Sequence, residues 1–514
     1  MSKISKRLLK YISYIAALSL GFYLLARAYF LFIGTSHSGL NFFFALLLFS
    51  AELHSIIHSL GFISSLNRLK KPGANYHRRV QLDPNNLPSV SVLIAARNEP
   101  LTVLEPTFVA LAALNYANKQ KVFLDGSDSE YQAANQALAH KYGLEYFQTK
   151  TPPKSKAEII NAYLPLVKSE YLAVFDADQA PLAEFLQETV AIAEHSKNIA
   201  FVQTPQLYTN YSASPIARGA TLQQSIFFES ICEAKGLSNA MFCCGTNFLM
   251  RTAVLKEVGG FDEKSVTEDF STSVMIHSLG LRSVYYNHVR VFGMAPATLP
   301  AYLKQQFRWA SGTVGVLRRL IKARLKSQIH FTKIQSWEYL LSATYYFTGW
   351  SFLIMMLCPI LYLIFGFPSY FSNPYVYIGS FLPYYFLTLM TFYATMKKRH
   401  YQAKDIFIGM IMSSLSFPIS IKASLYAIFG LPVKFQITDK SGTGRLANWQ
   451  LWPWTLMLLL NILAIIIGIS NFTDNRYAIA VNIAWCLYHS FVLSHIYRLN
   501  QAPKIQKYEE ENIN

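Results

Sequence analysis

The sequence is short of charge. Asp, Glu, Lys and Arg make up only 15% of its 514 residues, against roughly 25% in an ordinary soluble domain. Acids are the scarcer sign, 29 against 46 Lys and Arg, which leaves a formal charge of +17. With 52% hydrophobic residues beside so little charge, a disordered chain and a plain soluble enzyme are both excluded. Cysteine is scarce as well. The five cysteines stand at 232, 243, 244, 358 and 486, with no CxxC pair. No Cys/His cluster has zinc spacing, so a disulfide framework is not expected and the water-facing part belongs in a reducing compartment. No basic-aromatic stripe accompanies the positive charge, which argues against a nucleic-acid partner. In a chain this apolar, excess Lys and Arg instead mark loops on the cytoplasmic side of a membrane.

Long apolar runs are abundant. A helix needs roughly 20 apolar residues to cross a bilayer. Six runs qualify: 11–33, 40–64, 341–365, 375–395, 452–470 and 477–497. A seventh, 405–429, is broken by Pro418 and dotted with Ser413, Ser414, Ser416, Ser420 and Ser424. It reads as an amphipathic helix at the interface, with membrane lipid as its partner. Lys3, Lys6, Arg7 and Lys10 precede the first run; Arg68, Lys70, Lys71, Arg78 and Arg79 follow the second. Lys397, Lys398 and Arg399 follow the fourth, and Arg498, Lys504 and Lys507 the last, while the turns at 34–39 and 366–374 have neither Lys nor Arg. Six spans put all these basic loops in the cytoplasm. The length of the first run argues for a retained anchor over a cleaved signal. Glu52, His54 and His58 lie inside the second run, where ionisable groups are costly. Hydrogen bonds to neighbouring helices are expected for the histidines ahead of metal ligation, and a place along a substrate path stays open.

Between Pro88 and about Arg324 the pattern changes. Short apolar runs at 90–96, 121–124, 171–175 and 200–203 alternate with helical stretches such as 102–114 and 181–195. This predicts an α/β domain on a largely parallel sheet, with ligands beyond the carboxyl ends of the strands. Acids appear at those ends: Leu124-Asp125-Gly126 and Asp176-Ala177-Asp178. In Asp-x-Asp both side chains leave an extended segment on one side, so Asp176 and Asp178 can face one Mg²⁺ or Mn²⁺ completed by phosphate oxygens. Farther on come Thr267-Glu268-Asp269 and Gln305-Gln306-Phe307-Arg308-Trp309. Acids such as Glu268 and Asp269 before a helix complement its dipole, or supply a general base near a sugar hydroxyl. On a helix, Gln305, Arg308 and Trp309 share a face; Arg holds phosphate and Trp stacks on a sugar ring. An ordinary amphipathic surface helix has the same spacing.

The order Asp-Gly, Asp-x-Asp, Thr-Glu-Asp, Gln-x-x-Arg-Trp resembles the processive, inverting membrane glycosyltransferases of the cellulose synthase type, the superfamily of hyaluronan and chitin synthases. The resemblance is strong from Pro88 to about Gly312 and looser to Lys440. It implies a GT-A-like (Rossmann-like) cytosolic glycosyltransferase domain at 85–324, inserted in an α-helical transmembrane bundle. Two spans at 1–70 would precede that domain. Four at 325–500 would follow, with the interfacial helix 405–429 and a gating loop at 431–446, and then a cytosolic tail at 501–514. It further implies Asp125 at the uracil of UDP, Asp176 and Asp178 at the metal and diphosphate, and Asp269 as catalytic base. Glu268 and Gln305 would face substrate, Arg308 the diphosphate and Trp309 the acceptor sugar. Lys156, in Lys156-Ala157-Glu158, stands where the family has Lys-Ala-Gly and would reach a phosphate. Phe242-Cys243-Cys244-Gly245-Thr246 resembles the family's Phe-Phe-Cys-Gly-Ser segment; read from the residues alone, Cys243 is a small packed side chain. Phe435-Gln436-Ile437-Thr438-Asp439-Lys440 resembles the family's gating loop, which would bring Thr438 and Lys440 over the diphosphate.

The expected activity is transfer from a UDP-sugar, UDP-glucose first, to a growing β-linked glycan such as cellulose, passed across a bacterial inner membrane, with an accessory export subunit as a partner. One base and no covalent nucleophile imply inversion. The rival expectations are addition of one or a few sugars to a membrane lipid, and an inactive carrier or scaffold. Few residues follow Tyr497, so no cyclic-di-GMP-binding PilZ domain is expected.

Overall fold

A computed structural model describes residues 3–33, 39–69, 79–149, 151–325, 330–369, 374–397, 401–433, 444–472 and 475–501. The water-facing domain is built on ten strands among these residues: β1 (Val90–Ala96), β2 (Lys119–Asp125), β3 (Glu145–Gln148), β4 (Tyr171–Asp176), β5 (Ala180–Pro181), β6 (Ile199–Gln203), β7 (Leu207–Tyr208), β8 (Phe248–Arg251), β9 (Arg282–Tyr285) and β10 (Val291–Gly293). Seven form the main sheet in the order β3-β2-β1-β4-β8-β6-β9, and β5, β10 and β7 form a small second sheet. The expected alternation is present, with one correction. β8 runs antiparallel to both β4 and β6, so the sheet is mixed rather than largely parallel.

β1 is buried along its whole length because helices cover both faces, which is why, Ser91 apart, it reads as an apolar run. Val92 and Ile94 pack with Phe108, Phe123 and Phe185 on one face. Leu93 pairs with Val122, Ile160 and Val174 on the other. The parallel β2, β1 and β4 end at Asp125, Ala96 and Asp176, so the acids of both motifs leave the sheet at the same edge.

Among the described residues, five helical segments are long and apolar enough to cross a membrane: Tyr14–Phe32, Gly39–Leu66, Lys333–Phe365, Asn448–Ser470 and Arg476–Leu499. The run expected at 375–395 forms the 24-residue helix Pro374–Lys397, in which tyrosines and Pro383 lower the hydropathy, and it is not one of the five. The run at 405–429 is not one helix. It is the pair Ala403–Leu415 and Phe417–Phe429, bent by 45° at Ser416, and taking that pair as one span would make six. Its first half packs on the domain through small residues: an added Cβ at Gly219 would lie 2.2 Å from Met412, and one at Gly409 would lie 2.9 Å from Leu222.

The ionisable groups of the second span are all partnered. Glu52 takes Arg27 Nε at 2.8 Å and the Tyr23 hydroxyl at 2.7 Å. His54 contacts Thr344 O and Ser351 Oγ at 3.1 and 3.0 Å, and His58 contacts Thr344 Oγ1 at 3.2 Å. The histidines therefore bridge the second span to the point where helix Lys333–Thr344 tightens into the 3-10 turn Tyr345–Phe347.

Candidate active site

A cavity of about 970 Å³ opens at the carboxyl edge of the sheet and continues between the membrane helices. Lys156, Asp176, Asp178, Glu268, Asp269, Gln305, Arg308 and Trp309 all line it. Ser59, Tyr345, Ser351, Ser413 and Ser420 line its far end.

Lys156 opens the helix Lys156–Tyr163, whose N-cap Ser155 accepts from Glu158 N. That cap aims the ammonium across the strand ends. There Nζ donates to Asp176 Oδ1 and, at 2.7 Å, to Gly245 O. Asp176 is the last residue of β4 and its amide donates to Thr246 Oγ1 at 2.9 Å. One lysine therefore ties the Asp-x-Asp turn to the loop carrying Gly245.

Glu268 and Asp269 open the helix Glu268–Ser278. Asp269 Oδ1 accepts from the Phe270 amide at 2.7 Å. Gly245 has φ +80°, and an added Cβ there would lie 2.9 Å from Asp269 Oδ2. Only glycine combines that backbone with so close an approach. The Cys243 amide donates to Ser273 Oγ at 2.8 Å, which joins the same loop to the helix. Cys243 itself is buried and packed, and burial raises its thiol pKa well above the ordinary value. Burial also pushes Glu268 up to about 7, with the neighbouring Asp269 charge adding to the shift. Burial pushes Asp269 up to about 6, while the Phe270 amide, Lys156 and Arg308 pull it back down. Two acids with pKa values displaced in this way, set beside two cations, form a site that can accept a proton near neutral pH.

Gln305, Arg308 and Trp309 lie along one face of the helix Leu299–Leu325 and reach the cavity from the opposite wall. Asp125 does not line it. Its carboxylate is fully buried and takes Ser127 N at 2.8 Å, Asn135 Nδ2 at 2.9 Å and the Tyr146 hydroxyl at 2.9 Å. Ser127 Oγ in turn accepts the Asn98 amide at 2.7 Å, so Asp125 shapes the turns at the ends of β1 and β2 from within. Thr438 and Lys440 lie outside the described residues. Sequence reasoning missed Gln206, Tyr208 and Asn247. The polar residues Gln206 and Tyr208 on either side of Leu207 were a signal, as was an Asn directly after Gly245-Thr246.

The glycosyltransferase-like family 2 model matches residues 88–312, the stretch that carries every lining residue named from the domain. The UDP-forming cellulose synthase catalytic subunit of Pseudomonas fluorescens (strain SBW25) is 24% identical over 470 residues, covering 88% of this chain and 61% of that protein. The corresponding subunit of Xanthomonas axonopodis pv. citri (strain 306) is 30% identical over 294 residues, 55% of this chain and 38% of that one. The chain thus spans less than two thirds of the length of these curated relatives. A mannosyltransferase from Pyrobaculum calidifontis, solved with GDP-mannose and Mn²⁺, shares the fold at a TM-score of 0.55 and 16% identity, over 76% of this chain and 100% of its own. Similarity to the synthase subunits runs past residue 312 into the membrane helices, so the chain resembles the glycosyltransferases of the cellulose synthase type both in the family 2-like domain and beyond it.

Proposed function

We propose that the protein transfers a hexose from a UDP-sugar, UDP-glucose first, to the end of a β-linked glycan and passes the product through the cavity between its membrane helices. The observation that carries this reading is the single cavity that joins Asp269, the Asp176-Ala177-Asp178 turn and Trp309 to the membrane bundle. The catalytic domain would then face the cytoplasm, where nucleotide sugars are found. Export would engage an accessory subunit on the far side of a bacterial inner membrane.

Asp176 and Asp178 offer oxygen donors from one wall, and among the described residues no group of three or more His, Cys, Asp or Glu forms a closed metal cage. That donor set fits a hard cation whose other positions are filled by water and diphosphate, as Mg²⁺ and Mn²⁺ prefer. The Mn²⁺ in the Pyrobaculum complex is consistent with such a site. Bound there, either ion supplies neutralisation of the charge on the departing diphosphate. Lys156 and Arg308 place two further positive charges beside that leaving group. Asp269 accepts the proton of the acceptor hydroxyl as that oxygen attacks the anomeric carbon, and Glu268 holds the neighbouring sugar. Trp309 presents a ring face to the acceptor and Gln305 an amide to its hydroxyls. With no covalent nucleophile in the scheme, one displacement inverts the anomeric centre. Asp125 acts on the uridine side by holding the turns at 97–98 and 126–128. Thr438 and Lys440 are assigned to a lid over the loaded donor.

The test is incubation of the full chain in vesicles with labelled UDP-sugars and Mg²⁺ or Mn²⁺, followed by sizing and linkage analysis. UDP release with a long β-linked product is expected. A product of one or two sugars on lipid would replace the glycan acceptor with a lipid, and no UDP release from any donor would overturn the enzyme reading.

A further inference from the structure

A continuous hydrogen-bond chain links Asp176 to Gln305 along the cavity through Thr246, Asn247, Gln206 and Tyr208, four residues with no part in the transfer chemistry. The Asp176 amide donates to Thr246 Oγ1 at 2.9 Å, and Thr246 Oγ1 donates to Asn247 Oδ1 at 2.9 Å. Asn247 Nδ2 donates to Gln179 Oε1 at 3.0 Å and to Gln206 Oε1 at 3.4 Å. Gln206 Nε2 donates to the Tyr208 hydroxyl at 3.1 Å, and Gln305 bonds that same hydroxyl. The chain starts on the Asp-x-Asp turn and ends on the helix that carries Arg308 and Trp309.

Asn247 is its hub. The residue is fully buried and has φ +61°. Its amide donates to Val174 O at 2.8 Å and its carbonyl accepts from Thr204 N at 3.1 Å, so the backbone is pinned between β4 and the end of β6. That conformation narrows the choice to residues such as glycine and asparagine, and the side-chain bonds to Thr246, Gln179 and Gln206 favour the asparagine. Gln179 is fixed as well. An added Cβ at Gly293 would fall 2.2 Å from its Nε2, so β10 closes directly over the amide.

We propose that Asn247 is a positioning residue that couples the donor side of the site, at Asp176–Asp178, to an acceptor edge formed by Gln206, Tyr208 and Gln305. All three of those side chains line the cavity and none carries charge. Two amides and a phenol match the hydroxyls of a neutral pyranose. The inference rests on the glycosyltransferase reading above. Without the Asn247 side chain, Gln206 and Tyr208 lose their fixed orientation, and the acceptor hydroxyl drifts off the line of attack. Water still reaches the anomeric carbon, so transfer suffers more than donor hydrolysis.

The experiment uses the full-length protein in vesicles with a labelled UDP-sugar and records glycan formation and total UDP release side by side. N247G keeps the backbone conformation and removes the hub; Q206L breaks the chain beyond it. Each is expected to lower the ratio of transfer to hydrolysis by about 10-fold or more, the scale of a small misplacement of reacting groups. The double variant is expected to lose no more than the larger single loss, because both act on one chain. An unchanged ratio in N247G, or fully additive losses, overturns the coupling. A wild-type chain that releases no UDP overturns instead the reading beneath it.

Discussion

Glu268 and Asp269 open one helix as neighbouring carboxyls, and burial raises the pKa of both. In a chain with only 29 acids, an acid at a strand end or before a helix stands out, and Asp176, Asp178, Glu268 and Asp269 do line one cavity. Asp125 looked no different in the sequence, but Asn135 and Tyr146, the partners that enclose it, come from elements that no local pattern connects to it. The two acids of the Thr-Glu-Asp motif carry a pH prediction. Burial pushes Asp269 up to about 6 and Glu268 up to about 7, so the base form should grow in, and transfer rise, between about pH 5 and 7. Stability runs the other way. A carboxyl whose folded pKa is raised contributes fully below its unfolded value, about 4, and loses that contribution as pH climbs through the folded value. Unfolding midpoints in detergent should therefore fall across the window in which the rate rises. Asp269→Asn should keep UDP binding, cut transfer by roughly 10²–10⁴-fold, and remove the Asp269 share of the pH dependence, leaving that of Glu268. Near-normal transfer in that variant moves the base elsewhere. Asp178→Ala should raise the Mg²⁺ or Mn²⁺ concentration needed for UDP binding by calorimetry, and excess chelator should abolish transfer; activity that survives chelation defeats the metal role.

At the scale of elements, periodicity predicted β1, β2, β4 and β6 and the helices between them, because parallel strands buried on both faces are written as apolar runs. β8 escaped because its four residues have no run long enough to register, and its antiparallel pairing with β4 and β6 depends on contacts distant in sequence. The close crossing at Gly312 escaped for the same reason. Gly312 lies on the helix Leu299–Leu325, and a Cβ added there would stand 2.4 Å from Thr267 Cγ2, the residue just before Glu268. The helix bearing Arg308 therefore sets the start of the helix bearing Asp269. Arg319 strengthens the contact by pairing with Asp262 and donating to Lys264 O at 2.6 Å. Gly312→Ala should cost about 1–3 kcal/mol through overpacking. It should also lower kcat for transfer while UDP affinity changes little. A variant with wild-type kcat would show that the two helices adjust without moving the base.

At the scale of the whole molecule, hydropathy revealed that a membrane bundle flanks the domain, yet nothing in it showed how the two are joined. The joint is a buried charge cluster. Arg68, at the end of the second membrane helix, pairs with Glu338 Oε1. Lys235, from the short domain helix Glu233–Leu237, donates to Glu338 Oε2 at 3.0 Å and to its carbonyl at 2.8 Å. Glu338 lies on the helix Lys333–Thr344 that leads into the third span, and its side chain is 2% exposed against 4% for Lys235. Two cations share one carboxylate where three elements meet beside the cavity, so the position of the domain over the bundle depends on that acid. Removing one partner of a buried ion cluster leaves charge stranded in a poorly solvating interior, at about 3–5 kcal/mol. Glu338→Gln should therefore lower the unfolding midpoint in detergent and separate domain from bundle, visible as faster proteolysis between 325 and 333. Replacing the cluster together, with Arg68→Met, Lys235→Met and Glu338→Leu, removes the stranded charge and should restore most of the lost stability. If the single substitution leaves midpoint and proteolysis unchanged, the cluster does not hold the joint. If the triple variant is worse than the single, the charges contribute more than their mutual neutralisation.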